Sequence, residues 1–422
     1  MQFKDVIGQH PIKEQLVQMV QQNRLSHALL FLGKEGSGAL SLAIAFAQYI
    51  VCTSAREVSE KSIDLFAVAS SSPSPFREGR DEVLSPPPRE EVGRGLDSCG
   101  SCPACIKADK LIHPDIHFSY PVITRKPGDK PKSTDYISEW REFICSYAYG
   151  NIYDWLQFIG AENKQGNITA AETEDINHKL NLKGFESQYK ILIMWMPEFL
   201  GKEGNKLLKL IEEPPPDTLF IFVAEDESAI LPTILSRTQL VKIPALTDDE
   251  IEEALITRGK VENNKARQIA GVCAGNYRES LQMLQHAEED WQSLLREWLN
   301  AIAKNNISAQ IKWIDEINKL GREKQKQFLR FFIHLLEQAV RVRMIDESTA
   351  ISTPFSNMPD KEKDFALRLN KLCNLSAQEA IVAELDKSTY YIERNAHTKM
   401  LFHALSIRLY HIIKDNSLIL VN

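Results

Sequence analysis

Two groups of residues in this chain have the types and spacing to do chemistry. Cys99, Cys102 and Cys105 stand in the run CGSCPAC, and that spacing lets one short turn wrap a tetrahedral ion. A fourth ligand must come from elsewhere. Cys52, at the end of a predicted helix, is the first choice, with His113 and His117 as runners-up. Four protein ligands leave no open coordination position, so such a zinc would be structural. The competing reading is a set of free or redox-active thiols. Two C-x-x-C units sharing a residue weigh toward the metal.

The second group is glycine-rich. In LLFLGKEGSGALSLAIAFAQ, residues 29–48, an apolar strand runs into Gly33, Gly36 and Gly38, and a helical pattern follows. A phosphate-binding loop of the form G-x-x-x-x-G-K-[ST] places its lysine and its Mg²⁺-holding hydroxyl straight after the last glycine. Here those positions are Ala39 and Leu40. Lys34 precedes Gly36 and starts from the wrong point to replace the lysine. A hydrolysing enzyme also needs an acid after its second core strand. ILIM is followed instead by Trp195, Met196 and Pro197, and Glu198 comes late. Backbone N–H groups at the turn could still face an anion. With two catalytic elements defective, a turn kept for packing outweighs ATP hydrolysis.

Two arginines complete the set. Arg237, in PTILSRTQ, follows a proline-started helical turn and precedes LVKI, which places it on the expected ligand-bearing end of the sheet. By spacing alone it reads as a solvated surface charge. The sharper reading is a planar guanidinium set against a neighbour's phosphate. Arg278, early in the helix of GNYRESL, divides evenly between a surface salt bridge and nucleotide sensing. Cys145, Cys273 and Cys373 lie in apolar helical patterns and read as core.

The elements that must position these residues follow from periodicity. IHFSYPVI (116–123), YKILIMW (189–195), TLFIFVAE (218–225) and LVKI read as strands, and NKLLKLIE (205–212) as a helix. Short, fully apolar strands alternating with helices predict a parallel sheet covered on both faces. Ser, Pro, Gly and charge dominate 53–97, which reads as a disordered insertion. Beyond Pro244 the pattern is helical, opened by an N-cap at Thr247. The expected domains are an α/β domain over 1–245, a small helical domain over 246–295 and a larger one over 296–422. With 50 Lys+Arg against 57 Asp+Glu, the formal charge of −7 does not demand a nucleic-acid partner. No membrane span and no secretory leader are expected, and seven cysteines are too few for a disulfide framework in a chain this long. A cytoplasmic setting is the simplest expectation.

Several of these stretches together resemble bacterial clamp-loader subunits of the AAA+ superfamily. FKDVIGQHPIKEQLVQMVQQNRLSHALLFLGKEGSG is similar to that family's opening, and NKLLKLIEEPPPDTLFIFVAED and LPTILSRTQ to two later signatures. A C…C-x-x-C-x-x-C module after the loop helix is typical of the family. The resemblance covers residues 1 to about 290. It implies an AAA+ P-loop-type sheet domain with a zinc module, a helical lid and an all-α collar. It also implies zinc held by Cys52, Cys99, Cys102 and Cys105. The degenerate loop selects the family's non-hydrolysing member, whose Arg237 would be a trans-acting finger for ATP bound by a neighbour. Thr238 stands where the family commonly has Cys. Implied partners are motor (gamma/tau) and delta subunits in a hetero-pentameric ring, with the sliding clamp and primer–template DNA contacted inside the assembly. The alternative within the family is an active motor ATPase.

Overall fold

The computed structural model describes residues 1–54, 96–124, 128, 130–161, 166–285, 291–347, 360–393 and 396–415. Most of the insertion expected at 53–97 therefore lies outside the described residues. The chain divides into two compact units, one of Met1–Ala266 with Cys273–Arg278 and one of Arg267–Val272 with Glu279–Asn422.

The first unit is built on one five-stranded sheet. Its strands are β1 (Ala28–Gly33), β2 (Ile116–Ser119), β3 (Lys190–Trp195), β4 (Thr218–Ala224) and β5 (Gln239–Ile243). They lie in the order β2-β3-β4-β1-β5, and every pairing is parallel. Alternate residues serve opposite faces, as the two-residue strand period requires. Leu29, Phe31, Ile191, Ile193, Ile221 and Val223 enter one core. Leu30, Leu192, Met194, Phe220 and Phe222 enter a second on the other face. Burial on both sides is why β1, β3 and β4 read as unbroken apolar runs, while β5 exposes Gln239, Leu240 and Lys242.

Helices α1 (His10–Gln21), α2 (Ala39–Val51), α3 (Pro103–Asp109), α4 (Ile137–Ser146), α5 (Ile152–Phe158), α6 (Ala170–Asn181), α7 (Gly204–Glu212) and α8 (Pro232–Leu235) belong to this unit. Helix α2 is buried along its whole length. The stretch 116–123 pairs only as far as Ser119. Pro121 has no N–H to give a ladder, and beyond it Val122 makes an isolated antiparallel bridge to Asn167. An aromatic cluster packs beside β3: Tyr120 stacks on Trp140 at 3.9 Å, and Trp155 meets Trp140 edge-on at 5.3 Å.

Beyond Pro244 the described residues contain helices and no strand. α9 (Asp248–Thr257) opens with a reciprocal cap, Glu250 N–H to Thr247 Oγ1 at 3.2 Å and Thr247 N–H to Glu250 Oε2 at 2.9 Å. α10 (Asn263–Val272) and α11 (Tyr277–Gln285) follow. The second unit, which takes in Arg267–Val272 of α10 and α11 from Glu279 on, continues with α12 (Trp291–Ala303), α13 (Ile307–Lys319), α14 (Arg322–Glu347), α15 (Asp360–Leu372), α16 (Leu375–Glu393) and α17 (Thr398–Asp415). They close over one apolar core in which Trp298 and Trp313 stack at 4.5 Å. Both indole N–H groups are satisfied, by Ser406 Oγ and by the Leu294 carbonyl. Among the described residues no helix is long and apolar enough to cross a membrane.

Candidate functional site

The sulfurs of Cys52, Cys99, Cys102 and Cys105 all lie within 4.8 Å of one another. Cys52 closes the C-terminus of α2, and Cys102 is the N-cap of α3 with Pro103 behind it. Backbone hydrogen bonds also join the group internally: Cys99 N–H to Cys52 Sγ at 3.3 Å, Cys102 N–H to Cys99 Sγ at 3.3 Å and Cys105 N–H to Cys102 Sγ at 3.4 Å. Such N–H donors stabilise thiolates. For Cys99, burial works upward, but hydrogen bonds from the Cys102 and Ser101 N–H groups and the Ser54 and Ser101 hydroxyls together outweigh it and bring the thiol down to about 7. Cys105 moves the other way, raised by its hydrogen bond with Cys52 and by burial.

A metal with Zn–S bonds of about 2.3 Å needs tetrahedral sulfurs roughly 3.8 Å apart. Cys99 Sγ and Cys105 Sγ are 3.9 Å apart, and all four cysteines are free thiols. The donor set therefore fits a structural metal ion. The N-terminus holds the module in place: Asp97 accepts the N–H groups of Phe3 and Lys4, each at 3.0 Å. His113 and His117 are not members of the cluster. His113 Nδ1 accepts the Asp115 N–H at 3.2 Å.

The glycine turn follows β1 at the C-terminal edge of the sheet, where ligands of open parallel sheets bind. Gly36 and Gly38 have φ of +73° and +84°, which only glycine adopts freely. The space above them is taken. A Cβ at Gly36 would lie 1.9 Å from Asn276 Oδ1, and one at Gly38 would lie 2.7 Å from the Tyr149 ring. The Tyr149 hydroxyl is fixed by the Ile7 N–H at 2.8 Å. What remains beside the turn, lined by Gly36, Gly38, Tyr149 and Trp195, is a cavity of about 30 Å³, room for about one water.

Trp195, where an acid would hold Mg²⁺, is 3% exposed and packs on Trp140 at 5.4 Å. Glu198 does not replace that acid. Its Oε1 accepts the N–H groups of Glu225 and Asp226, at 2.7 and 3.1 Å, and braces the turn after β4. Burial raises its pKa despite those bonds.

Arg278 is neither a surface charge nor open to solvent. It is 4% exposed. Its Nη1 donates to Glu35 Oε1 at 2.8 Å, and its Nε and Nη2 grip both oxygens of Asp154. Sequence reasoning missed Glu35, Asp154, Tyr149 and Asn276. Glu35 sits inside the glycine turn and Asn276 inside GNYRESL, so both were visible; nothing in the sequence marked Tyr149 or Asp154.

Arg237 corrects the expectation that it lies on the ligand-bearing end. It precedes β5, and in a parallel sheet the segments that enter strands lie opposite those that leave. Gln239 pairs with Leu29 and Ile243 with Gly33, so four residues of strand, roughly 13 Å, separate Arg237's edge from the glycine turn. Its guanidinium meets Glu212 Oε1 at 2.5 Å and the Thr233 carbonyl at 2.9 Å. Of the three cysteines read as core, Cys273 and Cys373 are buried but Cys145 is exposed. It sits in the last turn of α4, whose buried face is carried by Trp140, Phe143 and Ile144.

A parallel sheet in this order, a glycine turn after β1 and a helical region beyond define, among the described residues, an α/β chain with an all-helical C-terminal region. The chain belongs to the family described as DNA polymerase III, delta subunit, which matches residues 8–68 and 89–247, together more than half its length. It is 24% identical over 274 residues to subunit delta' of DNA polymerase III from Bacillus subtilis (strain 168), covering 65% of this chain and 58% of that relative. The delta' subunit of Haemophilus influenzae (strain ATCC 51907 / DSM 11121 / KW20 / Rd) is 23% identical over 275 residues, covering 65% and 60%. Subunit tau of the same polymerase from Bacillus subtilis is 23% identical over 291 residues, covering 68% of this chain and 37% of that one. The matches thus span less than two thirds of these relatives. Among solved structures, a gamma subunit-related protein from Thermotoga maritima aligns with TM-score 0.38 and 12% identity, covering 94% of this chain and 99% of that one.

Proposed function

We propose that this chain is the non-hydrolysing delta-prime-type subunit of a DNA polymerase III clamp loader, and that it lends Arg237 to ATP bound by a neighbouring motor subunit. One observation carries the reading: Arg237 stands at the edge of the sheet opposite its own glycine turn. From there it cannot reach a nucleotide held by that turn, but it can face one held by another chain. A planar guanidinium so placed stabilises charge on a transferring phosphoryl group. The turn itself supplies neither the lysine nor the hydroxyl, and Trp195 fills the place of the acid.

In this reading the cysteine cluster holds a structural zinc, which ties the segment after α2 to the sheet and takes no part in phosphoryl transfer. Residues 1–245 form the sheet domain, 246–295 a lid and 296–422 a collar that joins motor (gamma/tau) and delta subunits in a five-membered ring. Clamp and primer–template DNA are met inside that assembly, in the cytoplasm.

The match to tau favours a second reading, an active motor ATPase. The two readings separate on ATP turnover, measured in the mixture and with the chain alone. DNA-stimulated ATP turnover is followed with motor subunits mixed with the wild-type chain or with Arg237→Ala. The finger reading expects a loss on the order of 10³-fold. Undiminished turnover with the variant sinks it, and ATP hydrolysis by the purified chain alone supports the motor.

A further inference from the structure

The glycine turn of this chain is closed by a group that the turn itself carries. Glu35 stands between Gly33 and Gly36, and its carboxylate accepts from Arg278 Nη1 at 2.8 Å. Asn276 Nδ2 approaches the same oxygen at 3.4 Å, and the Tyr277 N–H reaches back to the Gly36 carbonyl at 3.3 Å. The segment 276–278 therefore lies directly on the turn, joined to it by side chain and backbone.

A guanidinium buried to this degree is costly unless paired. Phosphate and carboxylate satisfy it in the same way, through charge-assisted N–H···O bonds. We propose that Glu35 is a tethered ligand: its carboxylate occupies the place on Arg278, above the glycines, that a phosphate group would take. The chain thereby holds segment 276–278 on the turn without a nucleotide.

The carboxylates already on Arg278 stand in a phosphate's way. Glu35 and Asp154 both pair the guanidinium, so a phosphate arriving at Arg278 meets two carboxylates already in place. It also meets filled space, since Asn276 and Tyr149 stand over the glycines and leave about 30 Å³ beside the turn. A pocket that buries a small organic ligand runs to roughly 300 Å³ or more. Asp154 is needed elsewhere, because it also accepts the Asn151 N–H at 3.1 Å as part of the cap of α5. Glu35 is the removable member.

The test uses the purified full-length chain and inorganic phosphate, with no other subunit present, so its outcome is independent of Arg237. Thermal unfolding is followed with and without saturating phosphate for the wild type, Glu35→Ala and Glu35→Ala/Arg278→Gln. Glu35→Ala removes the carboxylate and vacates its volume while Asp154 still pairs Arg278. Phosphate should raise its Tm by about 3 °C, shift the wild type by less than about 1 °C, and leave the double variant unmoved. Should Glu35→Ala melt too low to measure, Glu35→Gln takes its place with the same ordering. A wild type that responds as strongly as the variant overturns the proposal. So does a folded Glu35 variant indifferent to phosphate, or a response that survives the loss of Arg278.

Discussion

The Arg237 guanidinium rests 2.5 Å from the Glu212 carboxylate, with side chains 36% and 45% exposed. Glu212 ends α7 just before the turn into β4, so both residues lie at the edge where strands begin. An ion pair this exposed contributes about 0–1 kcal/mol. It restrains the arginine without committing it. Arg237→Ala should therefore move the Tm of the isolated chain by no more than about 3 °C, although under the proposed function the same change should cut turnover in the assembly on the order of 10³-fold. Glu212→Gln should leave assembly turnover at or above the wild-type rate, because a freed guanidinium reaches a phosphate more readily. If Glu212→Gln instead cuts turnover as deeply as Arg237→Ala, the carboxylate positions the arginine and does not merely hold it at rest.

Trp195 offers a direct contest between packing and chemistry. An acid restored at the end of β3 would sit among Trp140 and Phe143, whose rings lie 5.4 and 6.1 Å away. Trp195→Asp removes a buried indole and places a carboxylate without solvent. Losing the indole alone costs about 3–5 kcal/mol, and the buried charge adds to it. The expected result in urea unfolding is a loss of at least about 4 kcal/mol with no gain in ATP hydrolysis. A stable, hydrolysing variant would show the site to be one substitution from a motor.

The difference between what the sequence shows and what it hides is plain at these residues. Strands β1, β3 and β4 were legible because each is buried on both faces and so nearly unbroken in its apolar pattern, whereas β5 is exposed on one face. The cysteines were legible because their spacing is itself the geometry of a tight turn. Arg237 was misplaced because a loop before a strand and a loop after it look alike in sequence, and only the parallel register of β1 and β5 assigns them to opposite edges. Arg278 was undecided for a related reason. Its partners lie 124 and 243 positions away, and no local pattern reports a pairing made by the fold alone.

Metal removal should act on structure and not on phosphoryl chemistry. Purified chain is expected to carry one zinc, lost in Cys52→Ser and retained in Cys145→Ser, as read by elemental analysis. Chelation at neutral pH should expose the thiols of Cys52 and Cys105, both buried here, to a thiol reagent. It should also lower the Tm by several degrees, since metal binding free energy in such sites is folding free energy. Equal metal content in Cys52→Ser and the wild type would remove Cys52 from the ligand set and return His113 or His117 to consideration.

The acid side of the stability curve should be governed in part by His117. Burial, with Lys179 adding to it, pulls this imidazole down from 6.5 to about 4, against the opposing pull of Asp115 and Asp175. A histidine held neutral in the fold favours folding fully above its unfolded pKa, and that advantage is lost as pH falls from about 6.5 through about 4. The whole window is worth about 3 kcal/mol, of which about 2 kcal/mol is gone by pH 5. His113, also lowered by burial, acts in the same direction. Urea unfolding at pH 7 and pH 5 should therefore show the wild type losing about 2 kcal/mol more than His117→Gln, which cannot take up the proton. Parallel pH profiles for the two proteins would place the acid sensitivity elsewhere, with His113 the next residue to replace.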